Sequence, residues 1–269
     1  MKLIASDLDE TLLSTDRTVS EENREAIRRA RAQGNKFVCA TGRGYESIQG
    51  TLEEIGMKDA ANEYTISFNG GAITENAGNR LIHFEGLPFE QAETIFQRGL
   101  KYDVCIHVYT LDTVWIYRIF DGERQYLAGR MAFREFDAEN LDFLKEEPLV
   151  KVLYVHTNRD YLNRIEAELA DITGDLDVSY SSNRYLEFNK KGVNKGNALK
   201  FLGDYLGIPH ENQIAVGDNF NDLSMIEAAG LGVGVQNTVQ SMKGKCDVIL
   251  KSTNDEGAIA ELIDRFVLS

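Results

Sequence analysis

Short apolar runs alternate with amphipathic stretches over the first 75 residues of the chain. The runs have the length and composition of buried strands, and the stretches between them carry apolar positions at helical spacing. The predicted elements are strands at 2–6, 36–40 and 64–68 and helices at 21–33 and about 45–56. Ser20 and Gly34 supply the N-cap and the stop of the first helix. This β-α-β-α-β order predicts a doubly wound parallel sheet.

The pattern changes near residue 72, where pairs of apolar runs begin to follow each helix. The expected elements are a hairpin turning at 75–79, helices at about 89–101 and 160–170, and strands at 104–109, 113–119, 150–155, 178–180 and 185–188. Helix–strand–strand units are typical of an α+β sheet with its helices on one face. We therefore expect a second domain in the middle of the chain.

Strand–helix alternation returns after residue 188. The expected elements are helices at about 194–206, 221–229 and 256–266 and strands at 213–216, 231–235 and 248–250. The simplest architecture is one α/β core made from residues 1–83 and 185–269, with an inserted α+β cap domain over 84–184. Because both crossings lie at one place, we expect the insert to act as a mobile lid that sets specificity.

Composition limits the possible partners. The chain has 269 residues, of which 43% are hydrophobic, and a net charge of −14. This acidity disfavours nucleic-acid binding, which usually needs a basic face. It does not exclude an anionic small-molecule substrate, because a bound metal and a lysine can make the electric field of a site locally positive.

The cysteine pattern and the hydropathy exclude further classes of protein. The three cysteines are far apart and form no Cys-x-x-Cys, so neither a zinc site nor a disulfide framework is indicated. No apolar run approaches membrane length, and since the first strand is predicted from residue 2, we expect no signal peptide. We expect a cytoplasmic protein with no membrane partner, and the sequence carries no signal for its oligomeric state.

The end of the first strand carries the most informative motif, Asp7-Leu8-Asp9-Glu10-Thr11. Crowded carboxylates are costly unless a positive group lies between them. Ligands of open α/β sheets bind at the carboxyl ends of the strands. The pair Asp7 and Asp9 therefore indicates a metal ion and a chemical step, although Asp-x-Asp alone is more often an ordinary turn.

Three further polar clusters are expected at the same sheet edge. They are Thr41-Gly42-Arg43, Asn194-Lys195-Gly196 at a helix start, and Gly217-Asp218-Asn219-Phe220-Asn221-Asp222. Each alone is explained by a turn, a surface lysine or a helix cap. Four such clusters, in this order on one edge, are hard to explain as accident.

These four motifs, the insert and the return segment Leu186-Glu187-Phe188 to Lys195-Gly196 resemble the haloacid dehalogenase superfamily, and most closely its Cof-type sugar-phosphate phosphatases with a class IIB cap. The resemblance covers the whole chain and implies a Mg²⁺-dependent phosphatase with a Rossmann-like core. Glu10 departs from the family, which usually has Gly there.

The resemblance assigns roles to the motif residues. Asp7 matches the nucleophile that forms an aspartyl phosphate, and Asp9 matches the general acid–base. Mg²⁺ would be held by Asp7, the Asp9 carbonyl and Asp218, with Asp222 acting through metal-bound water. The remaining roles are phosphoryl binding by Lys195, Thr41, Gly42, the Leu8 amide and Asn221. Thr11 is expected to orient Asp9 or to cap the turn.

Three alternatives to a sugar-phosphate phosphatase stay open. A phosphosugar mutase would use the same groups on a related fold. A phospho-Asp receiver switch also gathers acids, a Thr and a Lys around Mg²⁺, but the position of Asp7 and Asp9 on the first strand and the inserted domain argue against it. A catalytically silent sugar-binding protein is disfavoured by the intact motifs.

Overall fold

The computed structural model of the protein describes residues 1–268, and within them the chain forms fourteen strands and eight helices. The strands are β1 (Leu3–Ser6), β2 (Lys36–Ala40), β3 (Tyr64–Ser67), β4 (Ala72–Glu75), β5 (Arg80–Phe84), β6 (Cys105–Thr110), β7 (Val114–Tyr117), β8 (Arg134–Phe136), β9 (Leu149–Val155), β10 (Leu176–Ser181), β11 (Tyr185–Lys190), β12 (Gln213–Gly217), β13 (Leu231–Gly234) and β14 (Val248–Ile249). The helices are α1 (Glu21–Ala32), α2 (Gln49–Glu54), α3 (Phe89–Gly99), α4 (Asp121–Leu127), α5 (Arg159–Glu168), α6 (Lys195–Leu206), α7 (Leu223–Ala228) and α8 (Ala258–Phe266). They divide into two compact units, one formed by Met1–Phe84 together with the chain from Asn194 onward, the other by Glu85–Val193.

The first unit is built on an eight-stranded sheet with the order β14-β13-β12-β1-β2-β3-β4-β5. The strands from β14 to β3 are parallel, and β4 and β5 extend the sheet as an antiparallel hairpin. The predicted doubly wound parallel core is confirmed.

Side-chain alternation along β1 sends its residues into two separate cores, as a strand buried on both faces requires. Ile4 packs in a cluster with Ile27 of α1 and Ile259 of α8. Leu3 packs on the other face in a cluster that contains Leu199 of α6 and Met225 of α7. Helices therefore cover both faces of the sheet.

Strand β1 lies between β2 and β12, and all three run in the same direction. Ser6, the last residue of β1, is in register with Cys39 of β2 and with Val216 of β12. The residues that follow these strands therefore emerge at one edge of the sheet, where parallel sheets place their ligands.

The second unit contains a six-stranded sheet with the order β10-β11-β9-β6-β7-β8. Its strand pairs are antiparallel except β7–β8. Phe96 of α3 and Ile165 of α5 pack in one cluster with Tyr154 and Phe188 of the sheet. This unit is the separate α+β cap sheet that the sequence predicted.

Two features of the second unit differ from the sequence expectation. Strand β11 pairs with β9 and β10, so the return to the first unit lies after Val193 and not after residue 184. Helix α4 and strand β8 were not predicted, because α4 has no repeating apolar period and β8 is three residues long with two of them exposed.

Within residues 1–268, no helix has both the length and the apolarity that a membrane span needs.

Candidate active site

Three buried carboxylates converge at the shared edge of β1 and β12. One oxygen atom from each of Asp7, Asp218 and Asp222 lies within 4.8 Å of the other two. Asp7 follows β1, Asp218 follows β12, and Asp222 lies one turn further at the start of α7. Their exposed fractions are 6%, 3% and 0%. The sequence predicted that these three residues meet, and the structure brings them together.

The cluster contains one buried cation, Lys195, the first residue of α6. Its Nζ lies 2.5 Å from Asp7 Oδ1 and 2.7 Å from Asp222 Oδ1, and its side chain is fully buried. The helix starts there because Asn194 is an N-cap whose side chain accepts a hydrogen bond from the Asn197 amide. Gly196 lets α6 approach α7, since a Cβ there would lie 2.1 Å from the Ser224 carbonyl oxygen.

Burial and mutual repulsion shift the pKa values of the groups in the cluster. Burial, reinforced by repulsion from Asp222 and Asp218, raises the pKa of Asp7 to about 7 even though Lys195 opposes the shift. Burial and repulsion from Asp222 raise the pKa of Asp218 to about 6. Burial disfavours the Lys195 ammonium, but its two carboxylate partners raise its pKa above the ordinary value. When ionised, the three carboxylates carry more negative charge than the Lys195 ammonium offsets, so a bound cation would stabilise the cluster.

The donor set suits a hard divalent cation. Carboxylate oxygens are the ligands that Mg²⁺ and Ca²⁺ prefer in proteins. Asp7 and Asp218 each keep one carboxylate oxygen that makes no hydrogen bond with the described residues, since Lys195 and Thr11 bind only their Oδ1 atoms. The cluster could therefore hold a metal ion without breaking an existing contact.

Asp222 is already occupied by protein donors. Its Oδ2 accepts hydrogen bonds from the amides of Asp218 at 3.0 Å and Asn219 at 3.1 Å, and its Oδ1 accepts from Lys195. A carboxylate with both oxygens in hydrogen bonds is better placed to act through metal-bound water than to bind a metal directly. The first of these roles is the one that the sequence predicted for Asp222.

Thr11 has a different partner from the expected one. Its hydroxyl donates to Asp218 Oδ1 at 3.0 Å. It therefore orients the Asp218 carboxylate and does not bind Asp9, because the turn after β1 directs it toward the end of β12.

Asp9 lies apart from the carboxylate cluster and is paired with Arg43. The Arg43 Nε donates to Asp9 Oδ2 at 3.0 Å, and its Nη2 donates to the other oxygen of the same carboxylate. Both side chains are partly exposed, at 31% for Arg43 and 53% for Asp9. Sequence reasoning did not give Arg43 a role, although its position directly after Thr41-Gly42 was an available signal.

The other predicted residues lie on loops around the cluster. Thr41 follows β2 and is buried, and its hydroxyl accepts a hydrogen bond from the Arg43 amide at 3.1 Å. Leu8 is buried directly after Asp7, and Gly42 is half-buried. Asn221 is exposed beside Asp222 and makes no hydrogen bond with the described residues. No hydrogen bond joins these four to the three carboxylates, and their role in phosphate binding stays a prediction.

The chain is similar to known proteins over nearly its whole length. A profile of haloacid dehalogenase-like hydrolases matches residues 4–263. The chain belongs to the haloacid dehalogenase-like hydrolase family. The superfamily expected from the motifs is confirmed, and the chain is a phosphatase of this superfamily.

Three relatives illustrate the similarity. The phosphatase YwpJ of Bacillus subtilis is 31% identical, with 98% of this chain and 99% of YwpJ aligned. The 5-amino-6-(5-phospho-D-ribitylamino)uracil phosphatase YwtE of the same organism is 30% identical over 99% of this chain and 98% of its own. The crystal structure of a haloacid dehalogenase-like hydrolase from Bacteroides thetaiotaomicron superposes with a TM-score of 0.86 at 32% identity, covering 98% of both chains.

Family membership excludes one of the alternatives raised by the sequence. A haloacid dehalogenase-like hydrolase is an enzyme, and this excludes the non-enzymatic receiver switch. Small phosphorylated metabolites are the substrate class of the family.

Proposed function

We propose that this phosphatase is Mg²⁺-dependent, that it acts through an aspartyl phosphate on Asp7, and that its substrate carries the phosphate on a sugar or a similar hydroxylated carbon chain. The observation that supports this most is the contact of the buried Lys195 ammonium with both Asp7 and Asp222, next to Asp218. The phosphoribityl group named for YwtE is a phosphate on such a chain.

The first half-reaction uses Asp7 as nucleophile. Its carboxylate attacks phosphorus, the P–O bond to the leaving group breaks, and Asp9 donates a proton to the leaving alkoxide. Lys195 fixes the orientation of Asp7 and offsets charge on the phosphoryl oxygens. When bound, Mg²⁺ would be held by Asp7, Asp218 and the Asp9 carbonyl and would supply charge neutralisation.

The second half-reaction regenerates Asp7. Asp9, now ionised, takes a proton from a water molecule that attacks phosphorus, and the bond between phosphorus and the Asp7 oxygen breaks to release inorganic phosphate. The Thr41 hydroxyl, the Gly42 and Leu8 amides and the Asn221 side chain would donate hydrogen bonds to the phosphoryl group in both steps. Asp9 must leave Arg43 to exchange these protons.

A panel of phosphate esters tests this function. The purified protein is incubated with phosphorylated sugars, sugar alcohols, nucleotides and an aryl phosphate, and inorganic phosphate is measured with Mg²⁺ and after exhaustive chelation. We expect Mg²⁺-dependent release, fastest with sugar or sugar-alcohol monophosphates. Undiminished release after chelation would overturn the metal assignment, and isomerised sugar phosphate without free phosphate would identify a mutase.

A further inference from the structure

The turn after β3 has an unusual backbone. Phe68, Asn69 and Gly70 are consecutive residues with positive φ, at 53°, 55° and 104°. Positive φ is uncommon for any residue other than glycine, and for a bulky aromatic it is a clear outlier. The backbone of Phe68 and Asn69 is therefore strained, and such a conformation persists only where its surroundings enforce it.

The surroundings that enforce this turn are the loop Thr41–Gly44. The Asn69 amide donates to the Thr41 carbonyl at 2.8 Å, and the Phe68 amide donates to the Arg43 carbonyl at 3.0 Å. The Phe68 ring lies on Gly44, where an added Cβ would be 2.8 Å from the ring. The strained turn is therefore bound along the length of the proposed phosphoryl-binding loop.

The same turn also touches the helix that carries Lys195. A Cβ added to Gly70 would lie 2.3 Å from the Asn194 carbonyl oxygen and 3.2 Å from the Lys195 amide nitrogen. Only glycine permits this approach at a φ of 104°. The turn thus connects the loop of Thr41 and Gly42 with the start of α6.

The Asn69 side chain lies directly on Gly42. A Cβ built on Gly42 would be 3.2 Å from Asn69 Oδ1 and 3.3 Å from Nδ2. Oδ1 is buried and makes no hydrogen bond with the described residues, and Nδ2 makes none with them either. A buried polar atom without a partner destabilises the folded state, so its retention calls for an explanation.

We propose that Asn69 is a further phosphoryl-binding residue of this enzyme, with its carboxamide serving as a hydrogen-bond donor beside Gly42. Because neither end of the carboxamide is hydrogen-bonded to the described residues, rotation about χ2 presents the Nδ2 hydrogens without breaking such a bond. The strained backbone fixes the side chain against Gly42 before the phosphate arrives. This inference rests on the proposed phosphoryl-binding role of Thr41 and Gly42.

Two substitutions separate binding from backbone effects. Asn69→Asp keeps the shape and the tolerance for positive φ but replaces the donor with a negative charge. Asn69→Gly relieves the backbone and removes the amide. Asn62, an exposed asparagine with a φ of 59°, provides matched controls as Asn62→Asp and Asn62→Gly.

The test is calorimetric titration of each variant with inorganic phosphate in the presence of Mg²⁺, alongside KM and kcat for an aryl phosphate. Hydrogen bonds to charged groups contribute about 1.5–3 kcal/mol, so we expect Asn69→Gly to weaken phosphate binding roughly 10-fold to 100-fold. Asn69→Asp should weaken it further, and KM should rise more than kcat falls. Circular dichroism spectra should match that of the wild type, which separates a loss of phosphate binding from a loss of folding.

The outcomes distinguish this inference from the proposed function. Normal phosphate affinity in both Asn69 variants, with an active wild type, would reduce Asn69 to a turn residue and leave the phosphatase intact. A wild type that binds phosphate through Asn69 yet hydrolyses no ester would contradict the proposed function alone. Failure of the wild type to bind phosphate would contradict both.

Discussion

The ammonium of Lys195 lies 2.5 Å from the carboxylate of Asp7, and both groups are buried. The contact joins residues 188 positions apart in the sequence, one at the end of the first strand and the other at the start of α6. It holds the proposed nucleophile in place and, among the described residues, supplies the buried positive charge that offsets the three carboxylates.

Lys195→Met should destabilise the protein and increase its dependence on a metal ion. Breaking a buried ion pair by removing one partner costs about 3–5 kcal/mol, because the remaining charges stay buried. Thermal midpoints measured with chelator and with Mg²⁺ should show a large loss for the variant and a larger recovery by Mg²⁺ than in the wild type. Lys200→Met, an exposed lysine on the same helix, should change neither. Equal Mg²⁺ responses in wild type and Lys195→Met would refute the charge argument.

Arg43 should act on catalysis through Asp9. General acid–base catalysis contributes about 10²–10⁴-fold, so Asp9→Asn should slow an alkyl phosphate by that order and an aryl phosphate, with its better leaving group, much less. Arg43→Gln should alter kcat only while Asp9 is present, because the guanidinium bonds both oxygens of that carboxylate. Steady-state kinetics of the two single variants and the double variant test the coupling. Fully additive effects would mean that Arg43 acts independently.

Glu10 should carry a backbone penalty because its conformation is one that favours glycine. Its φ is 59°, in the left-handed region that costs a residue other than glycine about 1–2 kcal/mol. We expect Glu10→Gly and Glu10→Asn to hold or raise the thermal midpoint, since both tolerate this conformation. Glu10→Gln, which removes the charge but keeps the strain, is the control. A rise in the thermal midpoint with Glu10→Gln alone would show that the charge, and not the backbone strain, is responsible.

His107 should weaken the inserted unit in acid. Its imidazole is fully buried, and burial, with help from Lys151, lowers its pKa from 6.5 to about 3. Glu123 of α4 faces it, 3.7 Å from Nε2, and the Tyr109 and Tyr185 rings lie beside it.

Between pH 6.5 and about 3 the unfolded chain binds a proton that the folded chain does not, so stability falls as the pH falls, by up to ~1.4 kcal/mol per pH unit. Urea unfolding can be followed by the single tryptophan, Trp115, which lies in β7 of the same unit. His107→Gln should lose less stability than the wild type between pH 6.5 and pH 4. If wild type and variant lost stability equally over this range, His107 would have the same protonation in the folded and unfolded states, which would contradict the lowered pKa.

The sequence predicted the architecture because the architecture depends on local patterns. Strand β1, predicted over 2–6, occupies Leu3–Ser6, and α6, predicted over about 194–206, occupies Lys195–Leu206. Parallel strands place their carboxyl ends together, so the meeting of Asp7 and Asp218 followed from topology alone.

Features that depend on tertiary contact were not predictable in the same way. The pairing of Asp9 with Arg43 joins two loops through side-chain geometry, and no spacing in the sequence encodes it. The left-handed turn at Phe68 and Asn69 is imposed by hydrogen bonds from another loop, against the preference of the aromatic residue. Residues 185–188 were predicted as the last strand of the α+β elements, but the boundary of the insert was set before them, at residue 184. The pairing of β11 with β9 places this strand in the inserted sheet.

The central claim is that Asp7 becomes phosphorylated during turnover. Its most direct test is an acid quench during turnover of an aryl phosphate, followed by borohydride reduction, which converts an aspartyl phosphate to homoserine, and peptide mapping. We predict homoserine at position 7, dependent on Mg²⁺ and absent from Asp7→Asn, whose turnover should fall on the order of 10³-fold or more with an unchanged circular dichroism spectrum. Substantial turnover by Asp7→Asn, or turnover by the wild type with no modified residue at position 7, would show that water attacks phosphorus directly and would contradict the account.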